Sequence, residues 1–177
     1  LLHDQVFLEK RIERLETGLK KIKDERQAKE LELLRRMQAQ LESEQPLRLL
    51  ELSEDEELLI RSYPLITRKE MILVFNVGEG QVNDTTLLDQ VQDLCTTGKM
   101  EAMTVSAKVE SEIALLDSEE ERQEFLRDRG IEEPALEVLT ALCLKALGRI
   151  SFFTVGKDEV HQWLVRVNAP APVAAGA

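Results

Sequence analysis

The sequence predicts an α/β fold preceded by an α-helical hairpin, and three patterns carry that prediction. Met71-Ile72-Leu73-Val74-Phe75 is a wholly apolar run of strand length bounded by turn residues, which reads as a buried strand of a parallel sheet. Upstream, Leu8, Ile12, Leu15, Leu19 and Ile22 recur at alternating spacings of four and three, an a/d seam. Downstream, residues 150–155 and 160–167 are β-rich runs around Gly156-Lys157-Asp158, the pattern of a hairpin.

The elements follow in order. The seam forms a first helix. Asp24 with Gln27 caps a second, whose apolar positions are Ala28, Leu31, Leu34, Met37 and Leu41. Two helices of similar length joined by a short polar turn predict an antiparallel coiled-coil hairpin, which Pro46 ends. Ser53-Glu54-Asp55-Glu56 is a capping box for a short helix carrying Leu58, Leu59 and Ile60, and Tyr63-Pro64 breaks it. After the apolar strand, Asp84 caps a helix with a stripe of Leu87, Leu88, Val91 and Leu94, and 102–105 forms a second strand. This is a βαβ unit of the expected size. Ser118 caps an acidic helix that stops at Gly130. Pro134 opens another, which carries Leu136, Leu139, Leu142, Cys143, Ala146 and Leu147, and Gly148 closes it. In the final hairpin, Trp163 is expected in the core and His161 at the surface. The Ala/Pro-rich tail has little structural signal and ends as a truncated fragment would.

Composition narrows the function. The chain has 177 residues, 43% hydrophobic and 32% charged, which suits a helix-rich, partly extended protein of one or two small domains. No apolar run approaches the roughly 18 residues of a membrane span. Cys95 and Cys143 are isolated in helical apolar patterns and read as buried, reduced thiols, so a cytoplasmic protein is expected. Two His and no Cys/His cluster leave no transition-metal site to propose. A net charge of −11 disfavours a simple nucleic-acid binder, DNA included. Residues 1–36 nevertheless hold ten basic against eight acidic side chains, so any face that meets a polyanion lies there.

Asn76-Val77-Gly78-Glu79 follows the first strand. Loops beyond the carboxyl ends of parallel strands are where α/β folds place ligands. Asn with an acid three residues on is the layout with which nucleoside-triphosphatases read a purine. In the usual Asn-Lys-x-Asp form, the acid accepts from guanine's ring N–H and 2-amino group. Adenine presents a lone pair at that ring nitrogen and has no 2-amino group. Here Val77 replaces the Lys and Glu79 the Asp, which argues for relaxed or adenine-directed specificity. Ser106-Ala107-Lys108, at the end of the second strand, would hold the base from the far side through its N–H groups and hydroxyl. Alone this tripeptide is equally a helix cap; paired with the first loop it predicts a base site at Asn76, Val77, Glu79, Ser106, Ala107 and Lys108. Glu110 and Glu112 read as solvated helix acids rather than a catalytic pair.

The ordered motifs, taken together, resemble the YchF, or Obg-like, ATPases of the translation-factor GTPase class. The carriers are Glu9-Lys10-Arg11-Ile12-Glu13-Arg14-Leu15-Glu16, Asn76-Val77-Gly78-Glu79, Ser106-Ala107-Lys108-Val109-Glu110-Ser111-Glu112-Ile113-Ala114, Phe152-Phe153-Thr154-Val155-Gly156-Lys157-Asp158-Glu159-Val160 and the tail from Ala169-Pro170 to Gly176. The resemblance implies that 1–66 is a helical hairpin insert and connector. It makes 67–148 the second half of a Ras-like nucleotide-binding domain, with part of its parallel sheet. Residues 149–177 become the truncated opening of a small β-rich TGS domain. It implies ATP, or also GTP, binding and hydrolysis with Mg²⁺ in the intact protein, and association with ribosomes or translation factors. Arg11, Arg14, Lys20 and Lys21 on the hairpin are the candidate ribosome contacts. The family's phosphate loop, Gly-x-x-x-x-Gly-Lys-Ser/Thr, does not occur in these 177 residues. They are therefore expected to hold the base-reading half of a site, no catalytic residue, no metal ligand, and no tight nucleotide binding by themselves. The alternative is a non-enzymatic scaffold whose hairpin mediates protein contacts.

Overall fold

The computed structural model describes residues 1–176. The chain divides into two compact units, Leu1–Glu70 and Met71–Ala177.

The first unit is helical. Helices α1 (Leu2–Leu19) and α2 (Glu25–Glu42) pack against each other across a short turn. Asp24 starts α2, its Oδ1 accepting from the Arg26 and Gln27 N–H groups at 2.9 and 3.1 Å, which satisfies two donors a helix start leaves open. Leu8, Ile12 and Leu15 of the seam are buried. Ile22 is not: α1 ends at Leu19, so the turn carries Ile22 past the seam, 74% exposed. On α2 the buried stripe is Leu33, Leu34, Met37 and Leu41, with Ala28 exposed. Leu33 joins the expected set because α2 is covered twice. One side meets α1, and another meets the return segment containing Leu47 and α3 (Glu54–Ile60). Helix α3 begins with the expected capping box. The Ser53 N–H donates to Glu56 at 2.9 Å, and the Glu56 N–H returns to Ser53 Oγ at 3.4 Å. Ile60 is buried, Leu59 half-buried and Leu58 exposed.

Two buried acids hold this unit together, and no sequence pattern announced them. Asp4 is fully buried and accepts from the N–H groups of Ile66 (3.0 Å) and Thr67 (2.7 Å) and from the Thr67 hydroxyl (2.7 Å). Burial pushes the Asp4 carboxyl up, but His3 and those three donors outweigh it and hold it below its ordinary value. Glu30 on α2 takes Arg11 of α1 at 2.7 Å and the Tyr63 hydroxyl. Burial and the Glu30 carboxylate push the Tyr63 phenol up to about 12.

The second unit opens with strand β1 (Met71–Asn76), helix α4 (Thr86–Gly98) and strand β2 (Met100–Val105). The strands are parallel, in a register that runs from Met71 opposite Met100 to Asn76 opposite Val105. Strand β2 thus begins two residues before the expected start. Asp84 binds the first turn of α4 through the Thr86 N–H (2.9 Å). The sheet-facing stripe of α4 is Leu88, Val91 and buried Cys95, whereas Leu87 and Leu94 are exposed. A helix turns its face toward one layer, and 88, 91 and 95 share that face while 87 and 94 flank it.

Helices α5 (Ala107–Ile113), α6 (Glu119–Asp128) and α7 (Ala135–Ala146) follow. Ser118 caps α6 in a capping box with Glu121, and Gly130 ends it at φ +65°, a conformation glycine adopts without strain. Val109, Ile113 and Leu126 form a small core with Val82, Phe125 and Ile131 around them. Helix α7 contacts β1 and β2 through a half-buried stripe of Ala135, Val138, Leu139, Leu142 and Ala146. Cys143 lies off that stripe and is exposed, contrary to the reading of two buried thiols. Strands β3 (Arg149–Val155) and β4 (Val160–Arg166) pair antiparallel as a separate two-stranded sheet. Trp163 is not a core residue there: it is exposed and donates its indole N–H to Thr154 Oγ1 at 2.9 Å. Val165 is the buried side chain of β4, and His161 faces solvent beside Glu159. A short helix α8 (Ala171–Ala175) forms in the tail that carried little signal.

Candidate functional site

The parallel register brings the two predicted loops together. Asn76 is the last residue of β1, and its partner Val105 is the last of β2. The ladder continues one step further, with the Val77 N–H on Val105 O at 2.8 Å. Asn76 Oδ1 then accepts from the Ala107 N–H at 3.1 Å, tying the first loop to the second. Glu79 sits in a 3₁₀ turn, Glu79–Gln81, and reaches Lys108 across the same gap. Val77 is half-buried beside these exposed polar groups. Ser106 is buried, and its Oγ has no hydrogen-bond partner among the described residues. The expected hydroxyl contact is therefore one layer beneath the surface that Asn76, Ala107 and Lys108 present.

Sequence reasoning missed Arg129. Its Nη1 lies 3.1 Å from Glu79 Oε2 and its Nη2 3.0 Å from Glu112 Oε2. Its guanidinium stands over the Phe125 ring, 4.3 Å from the centroid, within the range of a cation–π contact. Its carbonyl accepts from Asn83 Nδ2 at 2.9 Å. No motif contains Arg129; its only signal was a basic residue at the end of an acidic helix, just before a glycine. Lys108, then Arg129, hold the Glu79 carboxyl below its ordinary value, and Glu79 in turn raises Lys108. The neighbouring acids are not simply solvated. Glu110 accepts from the Ala135 N–H at 2.8 Å and so anchors the start of α7, while Glu112 pairs with Arg129. The arrangement can present an amide, a backbone edge and a fixed ion pair to a planar polar ligand. Among the described residues no cluster of three His, Cys, Asp or Glu side chains could hold a metal ion.

The four basic residues proposed for α1 and its turn differ from one another. Arg14, Lys20 and Lys21 are exposed, but Arg11 is engaged by Glu30 and by the Tyr63 hydroxyl at 2.9 Å. No helix is long and apolar enough to cross a membrane among the described residues.

A parallel βαβ unit with polar loops at its strand ends, followed by a small antiparallel sheet, defines a mixed α/β protein of the kind that binds ligands at those ends. No family model matches the chain. It is 35% identical over 179 residues to the ribosome-binding ATPase YchF of Bacillus subtilis, covering 99% of this chain and 48% of that protein. To the ribosome-binding ATPase YchF of Escherichia coli O157:H7 it is 38% identical over 147 residues, covering 83% and 40%. The solved structure of the Schizosaccharomyces pombe YchF GTPase superposes with a TM-score of 0.86 at 25% identity, covering 99% of this chain and 48% of that one. The chain belongs to the YchF, or Obg-like, ATPase family. It spans about half the length of the curated relatives it matches.

Proposed function

We propose that this chain carries the purine-reading part of a nucleoside-triphosphatase site, and that the full-length protein binds and hydrolyses ATP, with GTP as a second substrate. The observation that carries the reading is the Asn76 Oδ1 bond to the Ala107 N–H, which fixes the two strand-end loops as one surface. With Oδ1 engaged and Asn76 exposed, its amide N–H is the group left to donate to purine N7. Ala107 and Lys108 close the other side above the buried Ser106, with Val77 as apolar packing. The phosphates and Mg²⁺ would be held by a Gly-x-x-x-x-Gly-Lys element, which these 177 residues do not contain. On the family relationship we assign 1–66 to a coiled-coil hairpin insert and connector, 67–148 to the second half of a Ras-like domain and 149–177 to the start of a TGS domain.

The relatives are named for ribosome binding, and we extend that role to the hairpin of a cytoplasmic protein, through Arg14, Lys20 and Lys21. Arg11 serves the fold instead. Nucleotide affinity of the full-length protein tests the base site: Asn76→Ala should weaken ATP and GTP alike by about tenfold, the value of one good hydrogen bond. Unchanged affinities for both would end the base-site reading. Reversing Arg14, Lys20 and Lys21 together should reduce ribosome co-sedimentation in a salt-dependent way; unaltered sedimentation would remove the hairpin from the contact.

A further inference from the structure

We propose that Arg129 is a positioning residue that sets base selectivity, by holding the Glu79 carboxylate in an ion pair where it cannot demand guanine. The inference rests on the base-site reading above and deepens it. A carboxylate at this loop position selects guanine only if its oxygens are open to guanine's ring N–H and 2-amino group. Here each oxygen already accepts from a cation, so its charge is neutralised before any base arrives. Oε1 accepts from Lys108, and Oε2 from Arg129 at 3.1 Å. The two cations differ in how firmly they are held. The Lys108 side chain is 67% exposed on a freely rotating stem. Arg129 is fixed at four points: Glu112 at 3.0 Å, Glu79 at 3.1 Å, the Phe125 ring face, and its own carbonyl on Asn83. A planar fork tied between two carboxylates loses little freedom in holding either one. Glu79 is thereby kept as a neutralised wall of the site. The remaining donor, the Asn76 amide, addresses N7, which adenine and guanine share, so ATP is admitted.

The test is competition binding of ATP and GTP to the full-length protein. Arg129→Ala should free Glu79 Oε2 and raise the GTP-to-ATP affinity ratio about tenfold, the worth of a hydrogen bond to a charged acceptor. Arg129→Lys, which keeps one charge but cannot bridge Glu79 and Glu112, should restore part of the original ratio. Glu112→Gln removes one anchor only and should move the ratio the same way by a smaller factor; it carries the test if Arg129→Ala does not fold. A ratio unchanged in these variants, with both affinities intact or falling together, overturns the proposal, because a purely structural role moves both nucleotides alike. Asn76→Ala separates the two failures. If it weakens both nucleotides while the Arg129 variants keep the ratio, only the Arg129 proposal falls; if it weakens neither, the base site itself falls.

Discussion

Replacing Asp4 by alanine is expected to cost the helical unit about 3 kcal/mol. Asp4 is fully buried and accepts four hydrogen bonds at 2.7–3.0 Å, one from the neighbouring His3 ring and three from Ile66 and Thr67. It thus ties the first turn of α1 to a segment more than sixty residues away. Bonds to a charged acceptor contribute about 1.5–3 kcal/mol each, but the three do not add in full. Ile66 is 55% exposed, so its N–H regains water in the variant. The Thr67 hydroxyl still accepts from the Leu47 N–H at 3.3 Å, and because Thr67 is only half-buried its O–H, deprived of the carboxylate, can turn to water. One and a half such bonds is therefore the reasonable loss. Equilibrium urea unfolding, followed by far-ultraviolet circular dichroism, measures it. The sign of the pH dependence follows from the lowered carboxyl. Its contribution is complete above the unfolded-state value of about 4 and disappears as pH falls through the lower folded-state value. The gap between wild type and variant should be widest at neutral pH and close in acid. A loss below about 1 kcal/mol at pH 7, or a gap independent of pH, would refute the reasoning.

Two further predictions concern the same unit. Tyr63 is the chain's one tyrosine, so an ultraviolet titration reads it alone; its midpoint should lie near 12, and the stability it adds should be present below about pH 10 and lost as pH rises through that midpoint, whereas a midpoint near 10 would show the Glu30 contact to be absent. Leu34→Ala, at a fully buried site, should cost about 2–5 kcal/mol while Ile22→Ala costs less than about 0.5 in the same unfolding assay; equal losses would restore Ile22 to the seam.

Much of the fold was legible because its signals are local. Caps at Asp24, Ser53 and Ser118 act within three residues, and the structure shows all three. The apolar run at 71–75 and the β-rich pair at 150–167 form strands wherever the chain places them. Burial was legible only in part. A helical pattern reports which residues share a face, but not how many layers cover it. That is why Leu33 was missed, and why Leu87, Leu94 and Cys143 are exposed; alternation along β4 is silent in the same way about what covers Trp163. Asp4 and Glu30 escaped for a related reason: an acid in a helix reads as solvated until a distant donor is brought to it.

The site divides along the same line. The sequence alone determined which residues stand at the two strand ends, since Asn76 to Glu79 and Ser106 to Lys108 each follow a strand of readable length. The tertiary structure alone decided what those residues are free to do. Strand register set Asn76 against Ala107, and the end of α6 brought Arg129, fifty residues away in sequence, onto the Glu79 carboxylate. Hydrogen bonds and ion pairs act over about 3 Å, and only folding makes such residues neighbours.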